Sequence, residues 1–502
     1  MSGYGLQNVE PTRRMTSARV NSLVTGGGML LQQALGFIGG VFVAKLLGPA
    51  DYGEVSVLRT LLALIIVFTP LGLDLALFRI LPRFDAEPAV QALHFRRFRM
   101  IVLGFGIVLA AVGGLVAGPL LARGVYHYHG FALDFAITLL AVPLATDVLL
   151  MNAWYRVQGN IVPILLMTNY FQPIVRTGLN VLAVYLGYGV IGVVVGTTIA
   201  YLVTLLIALP YFAWTRRGQQ PVTGEIPGWY ASWQQFSEAP PMALNLFAGN
   251  IMRTADLVIV GAIAVPHAVG EYAVVSNISQ LVPVAAMSLT QTLGPTVARC
   301  FQRNDNAGIA REINQVISLA SILASFVMGG IAGFGVHLDA VFGAAYQPSQ
   351  LLVLIIPLGY LLSATLSPAG YALSMCGHAG LELAILGGSA ALLVASCVPL
   401  TWEFGTPGAA IAVLLAYATG NVIRFLTVRR LLGEHLGHWR DLMPPVVALT
   451  IGVAVNHAML PQRAKFGQLF IACVFYSLIY GGTMFGRQVY AWLRTRRVGA
   501  IA

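Results

Sequence analysis

Apolar segments of about 20 residues, separated by short polar stretches, recur along the whole chain. An α-helix of that length crosses the hydrocarbon core of a bilayer, so each segment predicts one membrane-spanning helix. We predict fourteen such spans, at residues 21–47, 57–80, 100–122, 132–152, 163–185, 190–214, 241–263, 271–298, 314–336, 351–375, 381–401, 408–428, 443–461 and 468–486. The pattern therefore indicates an all-α, polytopic membrane protein.

Composition agrees with this pattern and excludes several other classes of protein. Hydrophobic residues make up 57% of the 502 residues and charged residues only 10%, whereas about 25% is usual in soluble domains. The net charge of +10 comes from basic residues placed singly or in small groups between apolar segments. A nucleic-acid-binding protein gathers them on one face. The four cysteines lack the spacing of a metal site. We expect neither a nucleic-acid partner nor a bound metal.

The basic residues also predict the orientation of the chain. If the amino terminus is cytoplasmic, 20 of the Lys and Arg residues lie in inner segments and 3 in outer segments. Cytoplasmic loops of membrane proteins carry such an excess. We therefore expect both termini to face the cytoplasm.

An internal repeat indicates how the spans are arranged. Shifting the chain by 220 residues places Asp-Tyr-Gly at 51–53 on Glu-Tyr-Ala at 271–273. Six spans per unit is an even number, so both units would cross the membrane in the same direction. We predict two parallel-repeat lobes of six helices around a central cavity, an arrangement typical of alternating-access transporters, with two further helices at the carboxyl end.

The predicted domain boundaries follow from these spans. Trp229, Tyr230 and Trp233 lie in the inner stretch between the lobes, and such aromatic side chains are typical of helices at head-group depth. The predicted parts are a cytoplasmic amino-terminal segment (1–20), a first lobe (21–214), a cytoplasmic linker with an interfacial helix (215–240), a second lobe (241–428), two additional transmembrane helices (443–486) and a basic cytoplasmic tail (487–502).

Arginines inside the spans are the main candidates for substrate binding. An ionisable residue at mid-membrane costs roughly 2.5–3.5 kcal/mol on insertion scales, so it normally faces protein or a water-filled cavity. Arg176 and Arg253 lie near the middle of spans, and Arg59 in the outer part of one. Their guanidinium groups suit phosphate or carboxylate. Alternatively, Arg253 neutralises Asp256 three residues later, and Arg59 and Arg424 reach the head groups near the ends of their spans.

Carboxylates and amides within spans supply further candidates. Asp74, Asp147 and Asp256 are candidates for H⁺ or Na⁺ coupling, with pairing to an arginine as the alternative. Gln32, Asn250 and Asn277 suit recognition of sugar hydroxyls, although amides also join neighbouring helices. We expect no cofactor beyond such an ion. The sequence has neither a P-loop nor a nucleophile elbow, and we expect a transporter instead of an enzyme.

One stretch of the first half resembles a known family. "VAKLLGPADYGEVSVLRTLLALIIVFTPLGLDLALFRILPRF" at 43–84 is similar to the start of polysaccharide-biosynthesis membrane proteins. Residues 269–299 and 341–380 of the second half agree with it. The resemblance is to oligosaccharide flippases of the Wzx type, within the superfamily shared with multidrug and toxic compound extrusion transporters and lipid II flippases.

The resemblance implies a function. Wzx-type flippases move undecaprenyl-pyrophosphate-linked sugar repeat units to the periplasmic leaflet of the bacterial inner membrane, for O-antigen, capsule or exopolysaccharide. Their cavities are cationic, so Arg176 would meet the pyrophosphate or an acidic sugar. The implied partners are this lipid-linked oligosaccharide, membrane lipids and other polysaccharide assembly proteins.

Other functions stay open on the same fold and outside it. A multidrug or cation antiporter would need carboxylates in the cavity, where this chain offers arginines. A lipid II flippase has a similar anionic substrate but weaker agreement with the motifs. A membrane polymerase or acyltransferase is less favoured because no large outer loop is predicted, and a membrane scaffold would gain nothing from buried charge.

Overall fold

A computed structural model describes residues 11–84, 87–159, 162–215, 228–237, 239–437, 439–461 and 464–499. The part of the chain that it describes contains helices and turns and no β-strand. The helices are α1 (Pro11–Leu47), α2 (Pro49–Phe68), α3 (Leu73–Ile80), α4 (Pro88–Val112), α5 (Gly118–Gly124), α6 (Phe131–Val157), α7 (Val162–Leu165), α8 (Gln172–Tyr185), α9 (Gly189–Thr215), α10 (Trp229–Phe236), α11 (Pro240–Ile263), α12 (Pro266–Ser279), α13 (Leu281–Gln302), α14 (Asn306–Phe334), α15 (Asp339–Phe342), α16 (Gln350–Leu366), α17 (Pro368–Met375), α18 (Ala379–Phe404), α19 (Thr406–Leu432), α20 (Met443–Met459) and α21 (Phe466–Gly499).

Ten helical segments within the described residues are long and apolar enough to cross a membrane, and two shorter apolar helices, Leu31–Leu47 and Met443–Met459, accompany them. The prediction of an all-α, multi-pass membrane protein is confirmed, while the number fourteen is not. Predicted span 163–185 is divided between α7, the π-helical turn Leu166–Phe171 and α8. Predicted span 271–298 is divided between α12 and α13.

Proline opens several helices, because its missing N–H and fixed φ suit the first helical position. Pro49, Pro88, Pro240, Pro266 and Pro368 are the first residues of α2, α4, α11, α12 and α17. The starts of these five helices are thus marked by prolines in the sequence.

The helices form two compact units. Unit 1 contains the described residues of Met1–Val43, Leu62–Arg123 and Gly130–Leu246. In its core, the ring of Phe95 on α4 lies 4.5 Å from that of Trp154 on α6 and 5.7 Å from that of Phe212 on α9, between centroids. These contacts join three helices and place the next turn of α4, with Arg99, against α6.

A glycine allows one close approach in unit 1. Gly72 precedes α3 with a φ of 78°, in the left-handed region that favours glycine. A Cβ there would lie 2.4 Å from the carbonyl oxygen of Ala239. The segment that enters α11 is therefore held against the start of α3.

Unit 2 contains Ala44–Leu61, Gly124–His129 and the described residues of Phe247–Ala502. The start of α2 packs closely on α12: a Cβ on Gly270 would lie 1.9 Å from the carbonyl oxygen of Pro49. Tyr346 donates a hydrogen bond of 2.9 Å to the carbonyl of Ala44. The motif that carries the family resemblance in the first half therefore serves backbone packing in unit 2.

A second tyrosine fixes the segment between α5 and α6. The Tyr126 hydroxyl donates to the carbonyl of Val258 at 3.2 Å. Burial raises the pKa of Tyr126 to about 12, so the hydroxyl keeps its proton and this hydrogen bond at physiological pH.

The helices α20 and α21 pack on α14. A Cβ on Gly333 would lie 2.7 Å from the carbonyl carbon of Gly452, so α14 and α20 meet backbone to backbone, as small residues allow in membranes. The hydroxyls of Tyr476 and Tyr480 on α21 donate to the carbonyls of Phe326 and Ile322.

The predicted domain boundaries stay a prediction. Ala44–Leu61 falls in the range predicted for the first lobe and packs in unit 2. Residues 1–10 of the predicted amino-terminal segment, 216–227 of the predicted linker and 500–502 of the predicted tail lie outside the described residues.

Candidate functional site

The candidate residues for substrate binding are divided between the two units. Arg176 on α8 and Gln32 on α1 belong to unit 1, and both are half-buried. The turn of α8 that carries Arg176 follows the π-helical turn Leu166–Phe171. Such turns are frequent at functional sites.

α8 is held against α9 by a buried polar contact. Asn180 Nδ2 donates to Thr197 Oγ1 at 3.1 Å, and Gly196 makes room for the Asn180 amide. This contact fixes one side of α8, four residues beyond Arg176.

The remaining candidates lie in unit 2. Arg59 on α2 and Asn250 on α11 are half-buried, and Arg253 and Asn277 are exposed. Asn277 Nδ2 donates to the hydroxyl of Tyr52 at 3.3 Å. The structure therefore brings Asn277 to the start of α2, whereas Arg253 presents an exposed guanidinium group from α11.

Asp147 in unit 1 is buried, with 2% of its surface exposed. Both of its carboxylate oxygens accept hydrogen bonds from Arg99: Nη2 donates to Oδ2 at 2.5 Å, and Nε pairs with Oδ1. This is a bidentate ion pair, the strongest form of arginine–carboxylate contact. The charge of Asp147 is thus compensated within unit 1, as the alternative interpretation of this residue expected.

Asp256 in unit 2 is equally buried, with 2% exposed, but its surroundings differ. Its Oδ2 accepts a hydrogen bond of 2.7 Å from the hydroxyl of Tyr272, and its buried Oδ1 has no hydrogen-bond partner. Within the described chain no ion pair joins Asp256 to Arg253. The alternative in which these two residues neutralise each other is therefore wrong, because Arg253 turns outward.

Tyrosines lie around Asp256, and no ion pair within the described residues includes it. The rings of Tyr360 on α16 and Tyr417 on α19 lie 5.4 Å apart, and both feel the charges of Asp256 and Arg253. The Tyr417 hydroxyl donates to the carbonyl of Met252, one turn before Asp256. An ionised carboxylate buried without a cation is costly, so this arrangement favours a bound proton or cation.

Asp74 on α3 is half-buried, and its Oδ1 has no hydrogen-bond partner. Arg156 on α6 acts electrostatically on it. Asp74 thus resembles Asp147 because an arginine lies near it. It resembles Asp256 because one of its carboxylate oxygens has no hydrogen-bond partner.

A second buried ion pair, in unit 2, was missed. Arg424 is only 9% exposed; its Nε lies 2.9 Å from Glu382 Oε1, and its Nη1 donates to Asn421 Oδ1 at 3.1 Å. The expectation that Arg424 reaches the head groups is wrong, because its side chain turns into the contact between α18 and α19. A glutamate in the first turn of the preceding span was the signal in the sequence.

Three solved structures show that the fold is shared with transporters. A lipid II flippase, MurJ, in an inward closed conformation has a TM-score of 0.72 and 13% identity, over 93% of this chain and 100% of that chain. An inward-facing multidrug resistance MATE family transporter of the MOP superfamily has a TM-score of 0.65 and 14% identity, over 80% of this chain and 94% of that chain. A MOP superfamily transporter from Pyrococcus furiosus has a TM-score of 0.51 and 13% identity, over 82% of this chain and 94% of that chain.

Comparison of the sequence identifies the family. No curated protein sequence matches the chain. A family model described as polysaccharide biosynthesis protein matches residues 19–301, which is more than half of the 502 residues. The match includes the stretches at 43–84 and 269–299 that carry the resemblance. The chain therefore belongs to the polysaccharide biosynthesis protein family.

Proposed function

We propose that this chain is a flippase for lipid-linked oligosaccharides. Its substrate would be an undecaprenyl-pyrophosphate-linked repeat unit, carried across the bacterial inner membrane by alternating access for O-antigen, capsule or exopolysaccharide synthesis. The observation that carries the proposal is the family match over residues 19–301 in a chain with the fold of MurJ. The excess of basic residues in inner segments supports cytoplasmic termini.

Three arginines are proposed to bind the anionic part of the substrate. Arg99 and Arg424 already have carboxylate partners, whereas Arg59 and Arg253 belong to no described ion pair. Arg176 is half-buried on α8, next to the π-helical turn. Guanidinium groups bind pyrophosphate and acidic sugars through paired hydrogen bonds. The amides of Gln32, Asn250 and Asn277 would meet sugar hydroxyls.

The proposed mechanism makes and breaks no covalent bond. The head group enters from the cytoplasmic side while the polyprenyl chain stays in lipid, and the protein then exposes the head group to the other side. Membrane lipids and polysaccharide assembly proteins are its expected partners.

Asp256 is the preferred candidate for coupling this movement to an ion. Its carboxylate is buried, has one oxygen without a hydrogen-bond partner, accepts a hydrogen bond from the Tyr272 hydroxyl, and belongs to no described ion pair. A proton or Na⁺ bound there would remove the cost of the buried charge. Asp74 is a second candidate, and the Arg99 partner makes Asp147 the weakest of the three.

The test follows radiolabelled lipid-linked oligosaccharide in cells depleted of the protein. Wild type, Arg176→Ala, Arg253→Gln or the control Arg123→Gln is restored, and Arg123 is exposed at the end of α5. We expect repeat units to accumulate on the inner leaflet and only wild type and the control to clear them fully. Loss of one charge-assisted contact, about 1.5–3 kcal/mol, should slow clearance by roughly 10- to 150-fold.

Two other outcomes would redirect the proposal. Accumulation of lipid II in place of longer repeat units would indicate a lipid II flippase, which the similarity to MurJ over 93% of the chain favours as second candidate. An unchanged lipid pool with increased sensitivity to cationic drugs would indicate an antiporter and contradict a substrate role for both arginines.

A further inference from the structure

The short helix α10 is held on unit 1 by polar side chains of α4. Arg97 Nη1 donates to Ser232 Oγ and to the carbonyl of Gly228, each at 3.0 Å. Ser232 Oγ also lies 2.9 Å from His94 Nδ1. Since a guanidinium group only donates, the Ser232 oxygen accepts from Arg97 and its hydrogen is free to go to His94. We call His94, Arg97 and Ser232 the α10 clamp.

The clamp is buried, so it fixes the rotation of α10 about its axis. Ser232 has no exposed surface and His94 only 1%. Phe236, one turn after Ser232, is also buried and packs on Phe98 of α4, with ring centroids 6.2 Å apart. Any other rotation would leave the buried side chains of His94 and Arg97 without these partners, which is costly.

This rotation leaves an aromatic sector more than half exposed, although the Arg97 guanidinium group lies 5.0 Å from the centroid of the Trp229 ring. Trp229, Tyr230 and Trp233 are 55%, 79% and 56% exposed. Successive residues are about 100° apart around a helix, so the three rings lie within one sector and Gln234 lies at its far edge. Aromatic residues on one side and amides on the other are typical of a helix in the membrane interface.

Chain length places α10 at the membrane surface. α9, a candidate span, ends at Thr215 with Trp214 exposed, and α11 begins at Pro240. From Phe236 to Pro240 the chain can extend at most about 14 Å. α10 therefore lies close to the start of α11, and tryptophan concentrates near the ends of membrane spans.

The second unit repeats the arrangement. Asn314 on α14 is 220 residues beyond His94, the same offset that relates the sequence repeats. Its Nδ2 donates to the carbonyl of His435 at 3.1 Å, and its Oδ1 accepts from the Gly437 amide at 2.8 Å. In unit 1, α10 is fixed to α4 by His94. In unit 2, the segment after α19 is fixed to α14 by Asn314. Attachment of the linker is thus a feature of the repeat.

We propose that α10 binds the lipid head-group layer of the inner leaflet through Trp229, Tyr230 and Trp233, and that the α10 clamp sets which sector meets lipid. The sequence indicated an interfacial helix; the clamp makes it a rigid membrane anchor of unit 1 instead of a loose tether. This inference does not depend on the proposed substrate.

The test measures where an indole on α10 lies, in the full chain reconstituted in phosphatidylcholine vesicles. Trp229→Phe/Trp233→Phe is the blank, since it removes both native indoles of α10. Trp229→Phe keeps Trp233, and adding Gln234→Trp to the blank moves the indole by one residue. We expect brominated phosphatidylcholine to quench at least half of the Trp233 emission and aqueous iodide to quench the indole of Gln234→Trp. Equal iodide quenching of both, or no bromolipid quenching of Trp233, would overturn the membrane assignment.

The clamp is tested with two serines of the same helix segment. Ser232→Ala removes the clamp hydroxyl, and Ser237→Ala removes an exposed hydroxyl that donates to the carbonyl of Gln234. We expect Ser232→Ala to reduce the difference in quenching between the two indole positions at least twofold and Ser237→Ala to preserve it. If Ser232→Ala preserves the difference as well, the clamp does not orient the helix.

Discussion

Two aspartates, one in each unit, are buried to the same extent and stabilised in different ways. Asp147 in unit 1 accepts hydrogen bonds from Nε and Nη2 of Arg99, and Asp256 in unit 2 accepts one hydrogen bond from the hydroxyl of Tyr272. The first pair carries opposite charges that must stay together. No described ion pair includes Asp256, so its charge state can change without breaking one. The comparison separates a carboxylate that holds helices together from one suited to ion binding.

The largest effect is expected when the charged partner of Asp147 is removed. Arg99→Ala leaves a buried carboxylate without its cation, which costs about 3–5 kcal/mol of folding stability. Thermal unfolding in detergent measures this. In the matched double variant Arg99→Met/Asp147→Leu, most of the stability should return because no charge is left buried. A single variant as stable as wild type would contradict the role of this pair.

A smaller loss of folding stability is expected when the ion pair of unit 2 is broken. This variant tests whether a carboxylate of unit 2 that has an arginine partner behaves like Asp147. Glu382→Gln keeps an oxygen near Arg424 but removes the charge, and should cost about 1.5–3 kcal/mol. The same unfolding measurement applies. Glu403→Gln, an exposed change of the same type on α18, should leave stability unaltered. If neither Glu382→Gln nor Glu403→Gln lowers the unfolding temperature, the pair of Glu382 with Arg424 does not stabilise unit 2.

The hydroxyl that contacts Asp256 should contribute less. Tyr272→Phe removes one donor and should cost about 0.5–1.5 kcal/mol if the carboxyl is neutral, and more if it is charged. A double-mutant cycle with Asp256→Asn isolates this contact. A coupling above about 2 kcal/mol would show that Asp256 is ionised in the folded protein and would remove the distinction from Asp147.

Asp256→Asn should have the smallest effect on stability, below that of one hydrogen bond, because an amide oxygen can still accept from Tyr272. Its effect should appear in transport. In proteoliposomes with and without an imposed pH or Na⁺ gradient, we expect the variant to lose the gradient-dependent part of flipping and to retain binding of the lipid-linked substrate. Full gradient dependence in the variant would rule out Asp256 as the coupling site.

The sequence predicted the class of fold because the length of apolar runs is a local property. The number fourteen is not confirmed, and the π-helical turn Leu166–Phe171 in the predicted span 163–185 contains no proline or glycine that would mark it in the sequence. The interfacial aromatics also mark α10 locally. The predicted linker 215–240 contains the helix Trp229–Phe236, and its position at the membrane interface stays a prediction.

The partners of the buried charges could not be predicted, because they lie on other helices. Arg99 is 48 residues from Asp147, and Arg424 is 42 from Glu382. Sequence position placed Arg99 in an inner polar segment and Arg424 near a span end, where long side chains usually reach water. Only packing of α4 on α6 and of α18 on α19 turns these two side chains inward.

The contact between Pro49 and Gly270 has a consequence for the synthesis of the protein. These residues are 221 positions apart in the chain, and their backbones touch in unit 2. At about 5–20 residues per second, the ribosome needs roughly 10–45 s to make the second partner after the first. During that interval the start of α2 has no place to dock, and unit 2 is incomplete. A chaperone or insertase that shields this amino-terminal helix would therefore act before the second half of the protein exists.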